Sequence, residues 1–533
     1  KRRRQQSLFK KMGIPGPEPN WLFGNLHQLI NPAVYITLQK WTKQYNKLYG
    51  YYEGCTPVLV INDLDMIQDV FVKKHSSFRD RKVLFFDVPE DSDFNHMFVA
   101  RGARWKRLRT IVSPTFSAVK LKLLLPLIEE KVNTLLEKLS ETAEGECINI
   151  MKLYQGLTLD IIADTAFGIK VDSLNNSDEP FLINCRKLFD SLAPSKRSIV
   201  LTLAKVFPEL DKVLWRLFQI VMKIKKMPQV ELLRTMGNAV EDHITLLTKQ
   251  NSFKFYRTDL LQLMLDAKAD DYVADEVLTM TADAETEGIS IEEMASSETS
   301  DENKSCNAAS VRGHGIGRKK LTTQEIKSQS FLFLVAGYET TSTALSYCTY
   351  LLSTNPDVQD KLLEEIDHFL PQGTKATYDI LQQMSYLRMV LYETLRLYPL
   401  ASNGTNRKCS EACTVGGIHI PKDICIQPDV WSVHYDPDIW GDNPEQFNPE
   451  RFSKEAIANR HPMAWMPFGL GPRNCIGLRF ALVEAKMALA EILRKYSFKP
   501  CCETNKKLLL QESGVVIVPK NGVQVILVPR QHK

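Results

Sequence analysis

Along most of the chain, apolar residues recur at three- and four-residue spacing, the mark of helices with one buried face. Trp21 to Asn46 gives a short turn and an amphipathic helix. Lys47 to Asn62 alternates instead, which predicts a hairpin turning at Glu53-Gly54. Asp63 stands where it would cap a helix running to about Lys74. Residues 78–100 lack clean periodicity and predict a long loop. Helical spacing returns over Ala103–Leu125, Lys120–Thr142, Met151–Phe167, Glu179–Leu192, Leu210–Met227 and Asp259–Ala267.

Thr322-x-x-Glu325 is a capping box, and the helix it starts can run to about Ser353. From Phe331 to Leu352 that helix is almost wholly apolar, and Glu339 is its one charged residue. Burying a carboxylate costs several kcal/mol unless it is partnered, so Glu339 needs a reason to be there. Asn355-Pro356 predicts a cap followed by a new helix, and another helix covers Leu381–Leu397. Thr414–Pro421 and Ile424–Val430 read as short strands, Ile476 to about Tyr496 as an apolar helix, and Leu508–Pro529 as a hairpin around Asn521-Gly522. The expected fold is one mainly α-helical domain with a small β region.

Composition adds modestly to this picture. A chain of 533 residues with 44% hydrophobic and 24% charged residues has a sizeable globular core. Its eleven cysteines, odd in number and scattered, form no disulfide-like framework and suit a reducing compartment. Cys409 with Cys413, and Cys501 with Cys502, lack a second ligand pair and are poor zinc sites.

The net charge of +4 hides an asymmetry: +6 over residues 1–12 and −12 over residues 269–303 leave +10 on the rest. Such a body attracts an acidic protein or an anionic membrane surface. No base-readout motif points to nucleic acid. Residues 268–320 are acidic, then rich in small polar residues, and predict a mobile insertion between helices. No window reaches the ~18 apolar residues of a membrane span. Residues 1–19, Lys1-Arg-Arg-Arg4 and then a proline-rich hinge, read either as the stub after an N-terminal membrane anchor or as a flexible basic tail, with the main domain at 20–533. Leu210–Met227, with Trp215 and Phe218 against Lys223, Lys225 and Lys226, fits a helix lying on a membrane and equally a covered core helix.

The candidate chemistry centres on Phe468-Gly-Leu-Gly-Pro-Arg-Asn-Cys-Ile-Gly477. Its glycines and proline present Cys475 at the start of a helix, where free N–H groups and the helix dipole favour a thiolate. A buried thiolate needs a cation, usually a metal; the plainer reading is a structural cysteine before a core helix. The ten residues resemble the haem-binding loop of the cytochromes P-450. The same resemblance extends in order to Trp105-x-x-x-Arg109, Ala336-Gly-Tyr-Glu-Thr-Thr341, Glu393-x-x-Arg396 and Pro449-Glu-Arg-Phe452. Detailed phrasing such as Ser113-Pro-Thr-Phe116 and Arg479-Phe-Ala-Leu482 is similar to the animal drug-metabolising family 3, and thromboxane synthase is another near relative.

The resemblance implies a microsomal haem-thiolate monooxygenase acting on a lipophilic small molecule. It implies haem b with Cys475 as axial ligand to the iron, and Arg81, Trp105, Arg109, Arg407 and Arg473 at the propionates. Glu339 and Thr340 would deliver protons, and Phe98, Leu332, Val335, Ala336, Ala401 and Ser513 would contact substrate. Glu393, Arg396 and Arg451 would form a structural core cluster. Lys106, Arg107 and Arg479 would dock an NADPH-dependent flavoprotein reductase, with cytochrome b5 a second partner. The implied location is the cytoplasmic face of the endoplasmic reticulum membrane. Two alternatives stand: a haem-thiolate isomerase of a lipid peroxide, and a non-catalytic haem or lipid binder.

Overall fold

The computed structural model describes residues 2–30, 33–143, 145–176, 178–192, 199–225, 227–249, 260–266 and 321–530. The expected insertion at 268–320 lies outside the described residues. The fold is mainly helical, with small sheets at its edges.

Helix α1 (Val34–Tyr45) packs Leu38 and Trp41 onto Tyr49, Tyr51, Val58 and Val60 of a hairpin, β1 (Leu48–Glu53) and β2 (Thr56–Ile61). The hairpin turns at Gly54, which takes φ +62°. Asp63 caps the next helix by accepting the Met66 N–H at 3.0 Å. The single helix expected over Ala103–Leu125 is instead two. Helix α2 (Gly102–Val112) ends in a 3-10 turn at Ser113–Phe116, and α3 (Ala118–Ser140) leaves at 59°. Pro114 explains the break, because it has no N–H to continue the helical ladder.

Strand β3 (Cys147–Asn149) leads into α4 (Ile150–Phe167), followed by α5 (Pro180–Leu192), α6 (Ile199–Val206), α7 (Asp211–Ile224), α8 (Pro228–Lys249) and α9 (Leu260–Asp266). Helices α6 and α8 go beyond the elements that the sequence pattern predicts. Helix α10 (Thr323–Thr354) opens on the expected capping box, with Glu325 N–H donating to Thr322 Oγ1 at 3.1 Å and Thr322 N–H donating to Glu325 at 3.0 Å. Its 32 residues span roughly 48 Å, and it runs through the core along α4. Gly337 permits that approach, since a Cβ there would stand 3.0 Å from Ile162 Cδ1.

Helix α11 (Pro356–Phe369) starts at the expected proline, but the Asn355 side chain does not cap it. Asn355 Nδ2 donates backward to the Leu351 carbonyl at 2.7 Å, satisfying the end of α10. The helix expected over Leu381–Leu397 is interrupted at Met384 and resumes as α12 (Ser385–Leu397). Strands β4 (Arg407–Lys408) and β5 (Cys425–Gln427) complete a sheet of order β1-β2-β5-β4, in which β2 and β5 run parallel.

Helix α13 (Leu478–Lys495) leads into β6 (Tyr496–Lys499), β7 (Leu510–Ser513), β8 (Val516–Pro519) and β9 (Gln524–Pro529). Here the sequence reading needs correction. The strands flanking Asn521-Gly522 do not pair with each other: β8 pairs with β7, and β9 pairs with β6 and β3. A second correction concerns the cysteines, since Cys147 and Cys501 form a disulfide with Cα atoms 6.0 Å apart. It joins the first residue of β3 to the segment just after β6, residues far apart in sequence that the sheet brings together.

Candidate active site

The Cys475 loop is held by backbone geometry. Gly469 and Gly471 take φ +73° and +63°, and a Cβ at Gly471 would collide with the Phe71 carbonyl. Cys475 N–H donates to the Phe468 carbonyl at 2.8 Å. Arg109 clamps the preceding residue, donating to the Asn474 carbonyl at 3.0 Å and its Oδ1 at 2.7 Å. Cys475 lies deep in the molecule yet is solvent-accessible, so it stands on the wall of an internal space. Burial raises its thiol pKa, although the Gly477 N–H, Arg109 and Arg81 act in the opposite direction. The helix start alone therefore does not make the expected thiolate. A metal cation bound at the sulfur would supply the missing charge.

Around this loop, four arginines crowd together. Arg81 donates to the carbonyls of Gly404 and, at 2.9 Å, Arg473. Arg407 donates to the carbonyls of Asn406 at 2.8 Å and Leu470 at 2.7 Å. Arg473 donates to Ala100 at 2.7 Å and lies 4.3 Å over the ring of buried Trp105. Burial and then mutual repulsion pull Arg81 down to about 10 and Arg473 to about 8, and hold Arg407 well below its ordinary value. Nε of Arg81, Arg407 and Arg473 is buried with no hydrogen-bond partner. The Asp80 carboxylate, 3.7 Å from Arg473, offsets only part of this charge. Haem b carries two propionates, and a site with surplus buried cations and unpaired N–H donors fits a dianion. The donor set therefore fits haem, with Cys475 as the thiolate for its iron.

An apolar cavity of about 650 Å³ is lined by the expected Phe98, Leu332, Val335, Ala336 and Ala401, and by Thr340. Ser513 is not on its wall. It is buried in β7 opposite Val516, while the turn residues Gly514 and Val515 reach the cavity. Sequence reasoning missed as wall residues Phe86 and, on α7, Trp215 and Phe218, which pack with Leu201 of α6 and close another wall. The spacing of Trp215 and Phe218 identified an apolar face but not what it covers.

Glu339 and Thr340 face different surroundings. Thr340 Oγ1 donates to the Ala336 carbonyl at 2.6 Å and borders the cavity. Glu339 is buried, and its carboxyl responds to Asp190, Arg186 and Gln155 on α4 and α5. Burial, reinforced by Asp190, pushes it up to about 7 against the pull of Arg186 and Gln155. Another acid lies behind Thr341: Glu484 on α13, fully buried, raised by burial to about 8 against the pull of Thr341, with Oε1 lacking a hydrogen-bond partner. No sequence motif singled it out.

Glu393 and Arg396 form a bidentate pair at 2.6 and 2.7 Å, both wholly buried, and Arg451 lies 3.5 Å from Glu393. Arg396 also donates to the carbonyls of His434 and Pro444 at 2.7 Å. Of the three residues expected to dock a reductase, Lys106 is exposed and Arg479 half-buried. Arg107 is engaged elsewhere: it pairs with Glu325, as does Arg104 at 3.2 Å.

A family model described as Cytochrome P450 matches residues 14–300 and 285–527. The chain belongs to the cytochrome P450 family and is a haem-thiolate monooxygenase with a small-molecule substrate and a redox partner. It is 36% identical to cytochrome P450 3A29 of Sus scrofa over 530 residues, covering 98% of this chain and 92% of that protein. It is 36% identical to cytochrome P450 3A12 of Canis lupus familiaris over 527 residues, covering 98% and 92%. Against cytochrome P450 3A7 of Homo sapiens, identity is also 36% over 527 residues, covering 97% and 92%.

Proposed function

We propose that this chain inserts one oxygen atom of O2 into a lipophilic small molecule such as a drug, xenobiotic, steroid or fatty acid. The second oxygen leaves as water, with two electrons drawn from NADPH through a flavoprotein reductase and two protons from solvent. The observation that carries this reading is the Thr340 hydroxyl on the wall of an otherwise apolar cavity. Haem, when bound, supplies the oxygen-activating chemistry. Cys475 gives the thiolate ligand; Arg81, Trp105, Arg109, Arg407 and Arg473 hold the propionates. Thr340 positions a proton at Oγ1, and Glu339 stores one behind it. Phe98, Leu332, Val335, Ala336 and Ala401 orient substrate and exclude water. Glu393, Arg396 and Arg451 fix the scaffold beneath the Cys475 loop.

Lys106 and Arg479 contribute to a basic face for the reductase and for cytochrome b5, while the pair with Glu325 withdraws Arg107 from it. Association with the cytoplasmic face of the endoplasmic reticulum membrane is supported by α7. Leu214, Trp215, Phe218 and Met222 are buried there, while Val213, Leu217, Ile220 and Ile224 are exposed on the other side. Among the described residues no single helix is long and apolar enough to cross a membrane.

The test is electron demand. Product from an isotopically labelled O2 atmosphere should require both reductase and NADPH, and should carry one labelled oxygen. Cys475→Ala should remove the thiolate-type Soret band of the reduced carbon monoxide complex while far-ultraviolet helicity persists. Efficient rearrangement of a lipid peroxide without electrons would assign the chain to the isomerase class instead.

A further inference from the structure

Two free cysteines, Cys409 and Cys413, meet outside the cavity and the Cys475 loop. Cys409 follows directly on strand β4 and is wholly buried, its N–H donating to the Ile424 carbonyl at 2.8 Å. Its thiol donates to the Glu411 carbonyl at 3.0 Å and approaches the Ile420 carbonyl at 3.9 Å. Cys413 is half-buried and opens a two-strand ladder, Cys413–Val415 against Ile418–Ile420, in which it stands opposite Ile420. Ile420 is therefore a neighbour of both cysteines. Alternate residues of a strand point the same way, so Cys413 and buried Val415 turn toward the core that holds Cys409. The two thiols are close enough to share a hydrogen bond.

Other buried thiols have different neighbours: Cys185 faces Glu339, and Cys348 faces Thr394. Within the pair, exposure divides the roles. Cys413 is reachable from solvent, while burial, and then Cys413 itself, pushes the Cys409 thiol up to about 12. Cysteine oxidation follows access and thiolate character, so Cys413 reacts first and Cys409 stays a protonated thiol beside it. The backbone holds the pair together. Gly416 and Gly417 take φ +52° and +77° at the turn of the ladder, and the Ser410 N–H and hydroxyl both donate to the Ser77 carbonyl, at 2.8 and 2.9 Å.

We propose that Cys409 and Cys413 are a peroxide-responsive dithiol that closes to an intramolecular disulfide. Hydrogen peroxide oxidises Cys413: an S–O bond forms as the O–O bond breaks, giving a sulfenic acid and one water. The Cys409 sulfur then attacks the sulfenic sulfur, the S–S bond forms as the S–O bond breaks, and the Cys409 proton leaves with the hydroxyl as a second water. Two thiols are oxidised and one peroxide is reduced. The bond forms two positions after Arg407, on the segment that leaves β4. Under the monooxygenase reading, electrons that reach O2 without reaching substrate supply the peroxide; the thiol chemistry itself needs only peroxide and stands apart from that reading.

The experiment treats the haem-loaded enzyme with hydrogen peroxide, unfolds it, blocks the remaining thiols with iodoacetamide and digests it with trypsin. Cleavage after Lys408 and Lys422 leaves both cysteines in one peptide, residues 409–422. Before peroxide that peptide should carry two labels. After peroxide it should carry none, with a mass two hydrogens below that of the unlabelled dithiol, and dithiothreitol should restore both labels. Cys409→Ser removes the resolving thiol, so Cys413 should stall as a sulfenic acid and take one 1,3-dione label. Cys413→Ser should leave Cys409 unoxidised and fully labelled, and it keeps the proposal testable if Cys409→Ser does not fold. The Soret band reports haem retention in each sample. Both labels persisting while haem bleaches, Cys413 passing to sulfinic acid in the wild type, or a bridge from Cys413 to another cysteine each overturns the proposal. Loss of the Cys409 label in Cys413→Ser at the wild-type rate overturns it as well. Absent electron-dependent turnover, measured on the same sample, counts against the monooxygenase reading alone, because added peroxide tests the thiols without it.

Discussion

Arg396 and His434 exchange hydrogen bonds: Arg396 Nη1 donates to the His434 carbonyl at 2.7 Å, and His434 Nδ1 meets the Arg396 carbonyl at 3.0 Å. The other ring nitrogen accepts the Met466 N–H at 3.1 Å. Burial pushes His434 down to about 3, so the ring is neutral and can donate from one nitrogen while accepting at the other. Met466 leads directly to Phe468, whose carbonyl takes the Cys475 N–H. The buried Glu393–Arg396 pair is thereby joined to the Cys475 loop through one imidazole.

His434→Leu leaves the Met466 N–H and one acceptance at Arg396 unpaired in the core. The cost should be about 1–3 kcal/mol. Urea unfolding should show the loss, and haem should exchange faster to an acceptor protein. Wild-type stability with wild-type haem exchange would show that the imidazole bridge is dispensable.

Thr340→Ala should lower product formed per NADPH by up to about 100-fold, the low end of what a positioned proton donor contributes. Peroxide release should rise to match. Glu339 adds a pH signature, because its carboxyl titrates near 7. It holds its proton below that pH and loses it above, so coupling should fall as pH rises through about 7. Glu339→Gln should flatten this limb; an unchanged profile would show that the stored proton is not used.

Glu484 makes stability depend on pH with a definite sign. Its pKa rises from an ordinary 4.5 to about 8 on burial, so the folded state binds more protons than the unfolded state between those values. Stability should therefore be highest at the acid end of the window and decline toward pH 8, by up to about 1.4 kcal/mol per pH unit from this group. Glu484→Gln removes the titrating carboxyl at nearly constant shape and should remove that slope. Identical slopes in variant and wild type, measured by urea unfolding, would place the proton elsewhere.

Lys106→Glu should slow reductase-supported turnover, with the largest effect at low salt. The Debye length is about 10 Å at 0.1 M and about 3 Å at 1 M, so the difference from wild type should fade as salt rises. Turnover driven by added peroxide should stay the same. Arg107→Glu is a poor version of this test, since it sets a carboxylate against Glu325. Equal loss in both assays with Lys106→Glu would indicate damage near the haem.

What the sequence disclosed was local. The Thr322–Glu325 capping box, the Asp63 cap and the Gly54 turn each depend on residues a few positions apart, and each formed as expected. Pairing across the chain was less legible. Asn521-Gly522 carries a turn pattern, but β9 finds partners near residues 147 and 497 that no local pattern encodes. The site divides in the same way. Cys475 and Thr340 sit in recognisable strings, whereas Glu484 acquires meaning only from a side chain that a distant segment contributes. Glu339 and Thr340 are adjacent in sequence, yet one helical step of about 100° turns them toward different neighbours.

The bridge between Cys147 and Cys501 spans 354 positions of sequence. Arg81, Trp105 and Arg109 precede its first cysteine, while Thr340, Arg407, Arg473 and Cys475 fall inside the closed loop. One proteolytic nick between Cys147 and Thr340 would part these two sets along the peptide chain and still leave them covalently joined. Such a nicked sample would migrate as a single band under denaturing conditions, and its two fragments would separate only after thiol reduction. Intactness of this protein therefore has to be judged on a reducing gel.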